Sequence, residues 1–275
     1  MISKLLQIEK IKTLHYPTFK TIVILHFLLF LMVALVASSL KINIQGITIE
    51  KLFHFPHIWN TFAWIASWFN LLLGILAIML VSNEFQFRTF RKQLIDGLSR
   101  SELLYSKVLV FILLAVYTML LVFFSGFIFG VLKSPSFSLA NFIEGLPYLP
   151  VLFIQSLGYM LMAMLFAFII KNTALSIVSF ILYFFPIEPI IRVFIPDAAI
   201  QYMPVKIIAN LTPMPDFVGI SLGDVIQIDG ESGPGLYSMG IISEPMPLIY
   251  SSLIVTAYCL LFVFISKFLV RNKNF

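Results

Sequence analysis

Two carboxylates stand four residues ahead of an arginine in otherwise apolar surroundings, Glu84 before Arg88 and Glu188 before Arg192. On a helix this acid-first spacing brings the charges together. At membrane depth an acid is costly unless it is paired or hydrated. Glu84–Arg88 reads as a neutralising pair or a hinge. Glu188 lies roughly 22 Å up a helix that starts at Thr173, at 1.5 Å per residue. It and Arg192 can line an exit path or lock a broken helix, and locking is the preferred reading. His54 and His57 are two imidazoles without a Cys or acid cluster, which is weak metal chemistry, and they read as interfacial. The chain has no Gly-x-x-x-x-Gly-Lys-Ser/Thr, no His-Glu-x-x-His, no Gly-x-Ser-x-Gly and no Cys–His cluster. It therefore has no ATP site of the P-loop kind, and nothing recommends hydrolytic or redox chemistry. No metal or cofactor is expected on it.

Those residues sit in a chain built for lipid. The hydrophobic fraction is 60% and the charged fraction 11%, against soluble averages of about 45–50% and about 25%. The mean hydropathy is +1.00. The apolar runs are continuous and not alternating, so they predict helices and not a barrel. The fold class expected is all-α, a polytopic membrane protein with six transmembrane helices at about 21–40, 59–82, 108–132, 147–170, 173–195 and 247–270. The first run is too long for a signal-peptide core and reads as an uncleaved anchor. The single Cys259 permits no intrachain disulfide.

Charge sets the orientation. With cytoplasmic termini, 13 of the 18 Lys and Arg fall on inner segments; the outer ones keep Lys41, Lys51, Lys133, Arg192 and Lys206. The basic balance then matches an anionic inner leaflet and requires no nucleic acid. Residues 1–19 form an N-terminal interfacial helix on that leaflet, with a stripe interrupted by Glu9 and Lys12. Residues 20–271 form the membrane domain. Within it, Trp59, Trp64 and Trp68 read as interfacial or packing residues, and Gly126–Gly130 as a GxxxG close approach. Lys171-Asn172-Thr173 is a tight inner turn, and the proline-rich 186–246 is an outer segment with re-entrant or surface-lying helices before span six.

The strongest local signal is Asn83–Leu109, NEFQFRTFRKQLIDGLSRSELLYSKVL. Phe87, Phe90, Leu94 and Leu98 recur at helical steps, and Arg88, Arg91 and Lys92 share another face. These predict an amphipathic helix continuing out of span two. Asp96-Gly97 stops it, and Ser99 with Glu102 starts the next. The result is a short basic elbow over 83–107.

Glu84, Thr89, Arg91, Leu94, Gly97, Ser99, Arg100 and Lys107, with the six-span plan, resemble the permease subunits of ABC transporters of the ABC-2 exporter type. That family's glycine before the threonine is Arg88 here. The resemblance implies coupling to ATPase subunits through Glu84, Arg88, Thr89, Arg91, Lys92, Leu94, Gly97, Ser99, Arg100 and Lys107. It implies ATP and Mg on that partner chain, a second membrane subunit as homo- or heterodimer, and a place in the bacterial inner membrane. The competing reading is a non-transporting scaffold or sensor whose elbow docks a soluble cytoplasmic partner.

Overall fold

The computed structural model describes residues 2–40, 43–44, 47–215, 227–228, 231–232 and 246–272. Helix α1 (Ile2–Leu14) is followed by α2 (Pro17–Ser39), with Pro17 in the first turn, where its missing N–H costs no hydrogen bond. Next come α3 (Ile58–Trp68), α4 (Asn70–Gln86), the short α5 (Thr89–Ile95) and the 34-residue α6 (Arg100–Lys133). Then follow α7 (Leu139–Glu144), α8 (Tyr148–Ile170) and α9 (Thr173–Leu182). A π-helical turn, Tyr183–Ile187, leads from α9 into α10 (Glu188–Val193). It holds Pro186, which has no N–H to donate and so loosens the ladder there. The short α11 (Asp197–Ile200) and α12 (Pro204–Ala209) precede the last long helix, α13 (Leu248–Asn272). Two antiparallel ladders of two residues a side, Asn43–Ile44 with Ile47–Thr48 and Gln227–Ile228 with Glu231–Ser232, are the strands among the described residues. Much of the proline-rich 186–246 segment, at 216–226 and 233–245, lies outside the described residues.

Five helical stretches are long and apolar enough to cross a membrane, and a sixth if α3 and α4, bent by 44°, form one span. The break in that second span falls at Phe69, next to a buried Asn70. Asn70 Nδ2 donates to Gln155 Oε1 on α8 at 3.4 Å, and Asn70 Oδ1 accepts from Ser156 Oγ at 2.8 Å. Its polar side chain is thus satisfied by a neighbouring helix.

Helix α8 is the centre of the bundle and packs against α4, α6 and α13. Its span is 61% buried, against 17% for α2 at the periphery. Gly126 and Gly130 on α6 do permit close packing, but of rings and not of backbones. A Cβ on Gly126 would meet the Trp59 ring at 2.9 Å, and one on Gly130 would overlap the Phe55 ring. Trp59 is fully buried, stacked on Phe123, with its indole donating to Phe142 O at 3.0 Å. It is a packing residue, whereas Trp68 is largely exposed.

The helices gather their ends into two groups. One end, the basic end, joins α1, the C-terminus of α4, α5, the N-terminus of α6, the Lys171 turn and the C-terminus of α13. Thr173 Oγ1 donates to Asn83 Oδ1 at 3.1 Å across it. At the opposite end Lys133 Nζ donates to Ser38 O at 3.1 Å and Phe55 N donates to Ser134 Oγ at 3.0 Å.

Candidate functional site

At the basic end four charged side chains from three helices meet in the interior. Lys107, near the start of α6, donates to Glu9 Oε2 of α1 at 2.8 Å and to Glu84 Oε1 of α4 at 2.6 Å. Lys12 of α1 reaches Glu84 Oε1 at 3.1 Å and Glu9 Oε1 at 3.4 Å. Ser106 Oγ donates to Glu9 Oε1 at 3.0 Å. Glu9, Glu84 and Lys107 are all buried, and Lys12 is half-buried. Burial alone would raise the Glu9 carboxyl. The ammonium groups of Lys107 and Lys12, with the hydrogen bonds from Lys107 and Ser106, outweigh it and hold Glu9 below the ordinary carboxylate range. Breaking such a set by removing one partner is strongly destabilising, because it strands a buried charge. The cluster therefore fastens α1 to the two spans that flank the elbow.

This corrects the sequence pairing of Glu84. Its partners are Lys107 and Lys12, not Arg88. The reason is a break in the helix. Arg88 has φ +56°, in the left-handed region, and α4 ends at Gln86 while α5 starts at Thr89. The amphipathic helix expected to run on from span two is thus interrupted, and Arg88 is swung into the open. A position with this φ is one that glycine fills without strain. Phe87 also leaves the apolar stripe and is 72% exposed, whereas Phe90 is buried and Leu94 and Leu98 pack against the core.

The remaining elbow residues divide into those that hold it and those that show outward. Thr89 Oγ1 donates to Glu84 O at 3.3 Å across the break. Gly97 has φ +94°, and nothing stands within 4 Å of where a Cβ would lie. Ser99 and Glu102 form a reciprocal capping box, with Glu102 N donating to Ser99 Oγ at 3.2 Å and Ser99 N to Glu102 Oε2 at 2.7 Å. Arg100 faces inward along the end of the bundle. Its Nη1 donates to Val270 O at 3.2 Å and Arg271 O at 2.7 Å, carbonyls left open at the end of α13. Arg88, Arg91 and Lys92 are exposed on one side of α5, beside exposed Phe87 and Ile95.

Glu188 and Arg192 lie toward the opposite end. Glu188 is fully buried. Its two oxygens accept from the backbone N–H groups of Val205 and Lys206, both at 2.8 Å, at the start of α12. Arg192 stands off at 3.9 Å. The carboxylate thus ties the broken helix α9–α10 to α12, with the arginine in second place. Close by, Gln155 of α8 donates to Ile208 O at 3.0 Å and to Thr212 Oγ1 at 2.8 Å. Together with Asn70 and Ser156 this makes a buried polar network that composition alone did not flag. A glutamine in the middle of an apolar span was the available signal. Likewise Glu9 and Lys12, which spoil the apolar stripe of α1, carry the information that one face of α1 meets buried charge.

These features come with a family match over the first two thirds of the chain. A family model described as ABC-2 family transporter protein matches residues 5–187, about two thirds of the chain. No curated protein matches the chain. The matched region takes in Glu9, the break at Arg88, Gly97, Lys107 and the π-helical turn, and stops one residue short of Glu188. The chain belongs to the ABC-2 transporter family, as an integral membrane protein of that transport machinery.

Proposed function

We propose that this protein is the permease subunit of an ATP-driven exporter, forming the translocation path and coupled to separate ATPase subunits through the 83–107 elbow. The observation that carries this is the division of labour at the basic end. Behind the elbow, Glu9, Glu84, Lys107 and Lys12 bind three helices into one piece. On its outward side, α5 offers Arg88, Arg91 and Lys92 with Phe87 and Ile95 beside them. A mixed basic and apolar face on a braced support is fitted to receive a push and pass it to the spans. Lipid-facing flanks such as those of α2 and α13, rich in exposed Leu, Ile and Phe, leave surface for a second membrane subunit. ATP and Mg belong to the partner chains, and the basic end faces the cytoplasm of a bacterial inner membrane.

Two experiments test this. The tagged protein, extracted in mild detergent, should retain an ATPase whose MgATP hydrolysis depends on the membrane subunit. A retained partner without hydrolysis would favour a scaffold or sensor instead. For orientation, single cysteines at Ser3 and Asn272 should resist an impermeant thiol reagent in intact cells, and one at Ser232 should react. The reverse pattern would overturn the topology.

A further inference from the structure

A cavity of about 260 Å³ opens beside the charge cluster, where α1, α4 and α5 meet. Lys12, Tyr16, Met79, Leu80, Glu84 and Phe87 contribute to its walls. Glu84 is only 7% exposed, and its two oxygens differ. Oε1 accepts from both Lys107 and Lys12, while Oε2 is buried and has no hydrogen-bond partner. A buried carboxylate oxygen without a donor is costly, and a ligand that brings a donor removes that cost. Lys12, with 32% of its side chain exposed, is the cation nearest the open side.

From these features we infer that the cavity binds the headgroup of a zwitterionic aminophospholipid of the inner leaflet, of the phosphatidylethanolamine type. The primary ammonium donates to Glu84 Oε2. The phosphodiester lies by Lys12. The acyl chains leave over Met79 and Leu80. Each part of the headgroup is needed. A choline headgroup has the charge but no N–H to donate, and a glycerol headgroup has no cation. A zwitterion also keeps the local balance of two carboxylates against two ammonium groups, which a free amine or a simple anion would upset. A second cavity of about 460 Å³ shares Glu9 and Thr13 and is otherwise walled mainly by Phe19, Val23, Leu113 and Leu114, so apolar volume adjoins the site. The lipid would set the seat of α1 against the spans, whether or not an ATPase is attached.

The test uses the full chain in detergent, equilibrated with equal amounts of phosphatidylethanolamine, phosphatidylcholine and phosphatidylglycerol and separated from free lipid by gel filtration. Retained lipid is quantified by mass spectrometry. Phosphatidylethanolamine should exceed phosphatidylcholine by roughly ten-fold, the scale of one hydrogen bond to a charged group. Glu84→Gln should bring the two close to parity. Lys12→Met leaves the buried Lys107 bridges intact, and should lower phosphatidylethanolamine retention several-fold in a chain that still elutes as the wild type does. Equal retention of the ethanolamine and choline lipids overturns the inference. So does phosphatidylethanolamine retention untouched by Lys12→Met, even if Glu84→Gln does not fold. Displacement of the lipid by soluble phosphoethanolamine at matching concentration would assign the site to a soluble amino phosphate and overturn the lipid assignment.

Discussion

Each end of this bundle buries a glutamate, and the two are satisfied in different ways. At the basic end Glu84 is held by the ammonium groups of Lys107 and Lys12, and shares both with Glu9. Toward the other end Glu188 is held chiefly by two backbone N–H groups at the start of α12. Both glutamates have an arginine four residues on, and in neither is that arginine the main partner. The sequence rule for such pairs assumes an unbroken helix on a free surface. Here a left-handed residue at Arg88 breaks one helix, and the N-terminus of α12, directed at Glu188, outcompetes the arginine in the other. The difference also fits two mechanical tasks. A knot of charges from three helices fastens rigid pieces together, whereas a carboxylate on two amides anchors one short helix.

The contrast is sharpest when each lock is broken. Lys107→Met leaves two buried carboxylates with the half-buried Lys12 as their one remaining ammonium and should cost about 3–5 kcal/mol, read as a large fall in the thermal midpoint in detergent. Adding Glu9→Gln and Glu84→Gln should recover much of it. The pH response has a definite sign. Glu9 is held below its ordinary value of 4.5, so its contribution is complete above that pH. It is lost progressively as pH falls from there through the lowered value of the folded protein. Glu9→Gln should remove that decline. A wild-type midpoint that does not fall in acid would contradict the pairing.

At the other lock, Glu188→Ala leaves two amides without an acceptor and takes the carboxylate from the partly exposed Arg192, but strands no fully buried ion, a loss of about 1–3 kcal/mol in all. Its midpoint should drop less than that of Lys107→Met, and Glu188→Gln should drop less again. An effect of Glu188→Ala larger than that of Lys107→Met would reverse the ranking of the two ends.

Much of this molecule was legible in the sequence where the signal is local. The apolar runs placed the long apolar helices, Gly97 a left-handed stop, and Ser99 with Glu102 a capping box. What could not be read was partnership across the bundle. Glu9 and Lys107 are 98 residues apart, and Gln155 and Thr212 are 57 apart. Nothing in residue spacing reports which helices will be neighbours. Arg88 shows the same limit in small. Its left-handed backbone is a tertiary demand on a residue with no intrinsic preference for it, and only the family resemblance, through a missing glycine, pointed at the position.

That pair of left-handed positions yields the smallest effects. Gly97→Val strains only the backbone, since the space around it is open, by about 1–2 kcal/mol. It should loosen the link between hydrolysis and transport in reconstituted vesicles more than it lowers expression, with Gly97→Asn milder. Arg88→Gly relieves the corresponding strain and should raise the thermal midpoint slightly. Equal coupling in the two Gly97 variants would remove the case for a stiff elbow.

The most direct test of the elbow as the point of drive is charge reversal on its outward face. Arg91→Glu with Lys92→Glu alters two exposed side chains and leaves the buried knot and the Arg100 cap in place. Affinity for the ATPase should fall on the order of ten-fold or more, about 1.4 kcal/mol per factor of ten, with the thermal midpoint of the membrane subunit unchanged. An ATPase that still co-purifies at full stoichiometry, with hydrolysis still responsive to the membrane subunit, would contradict the assignment of coupling to this face.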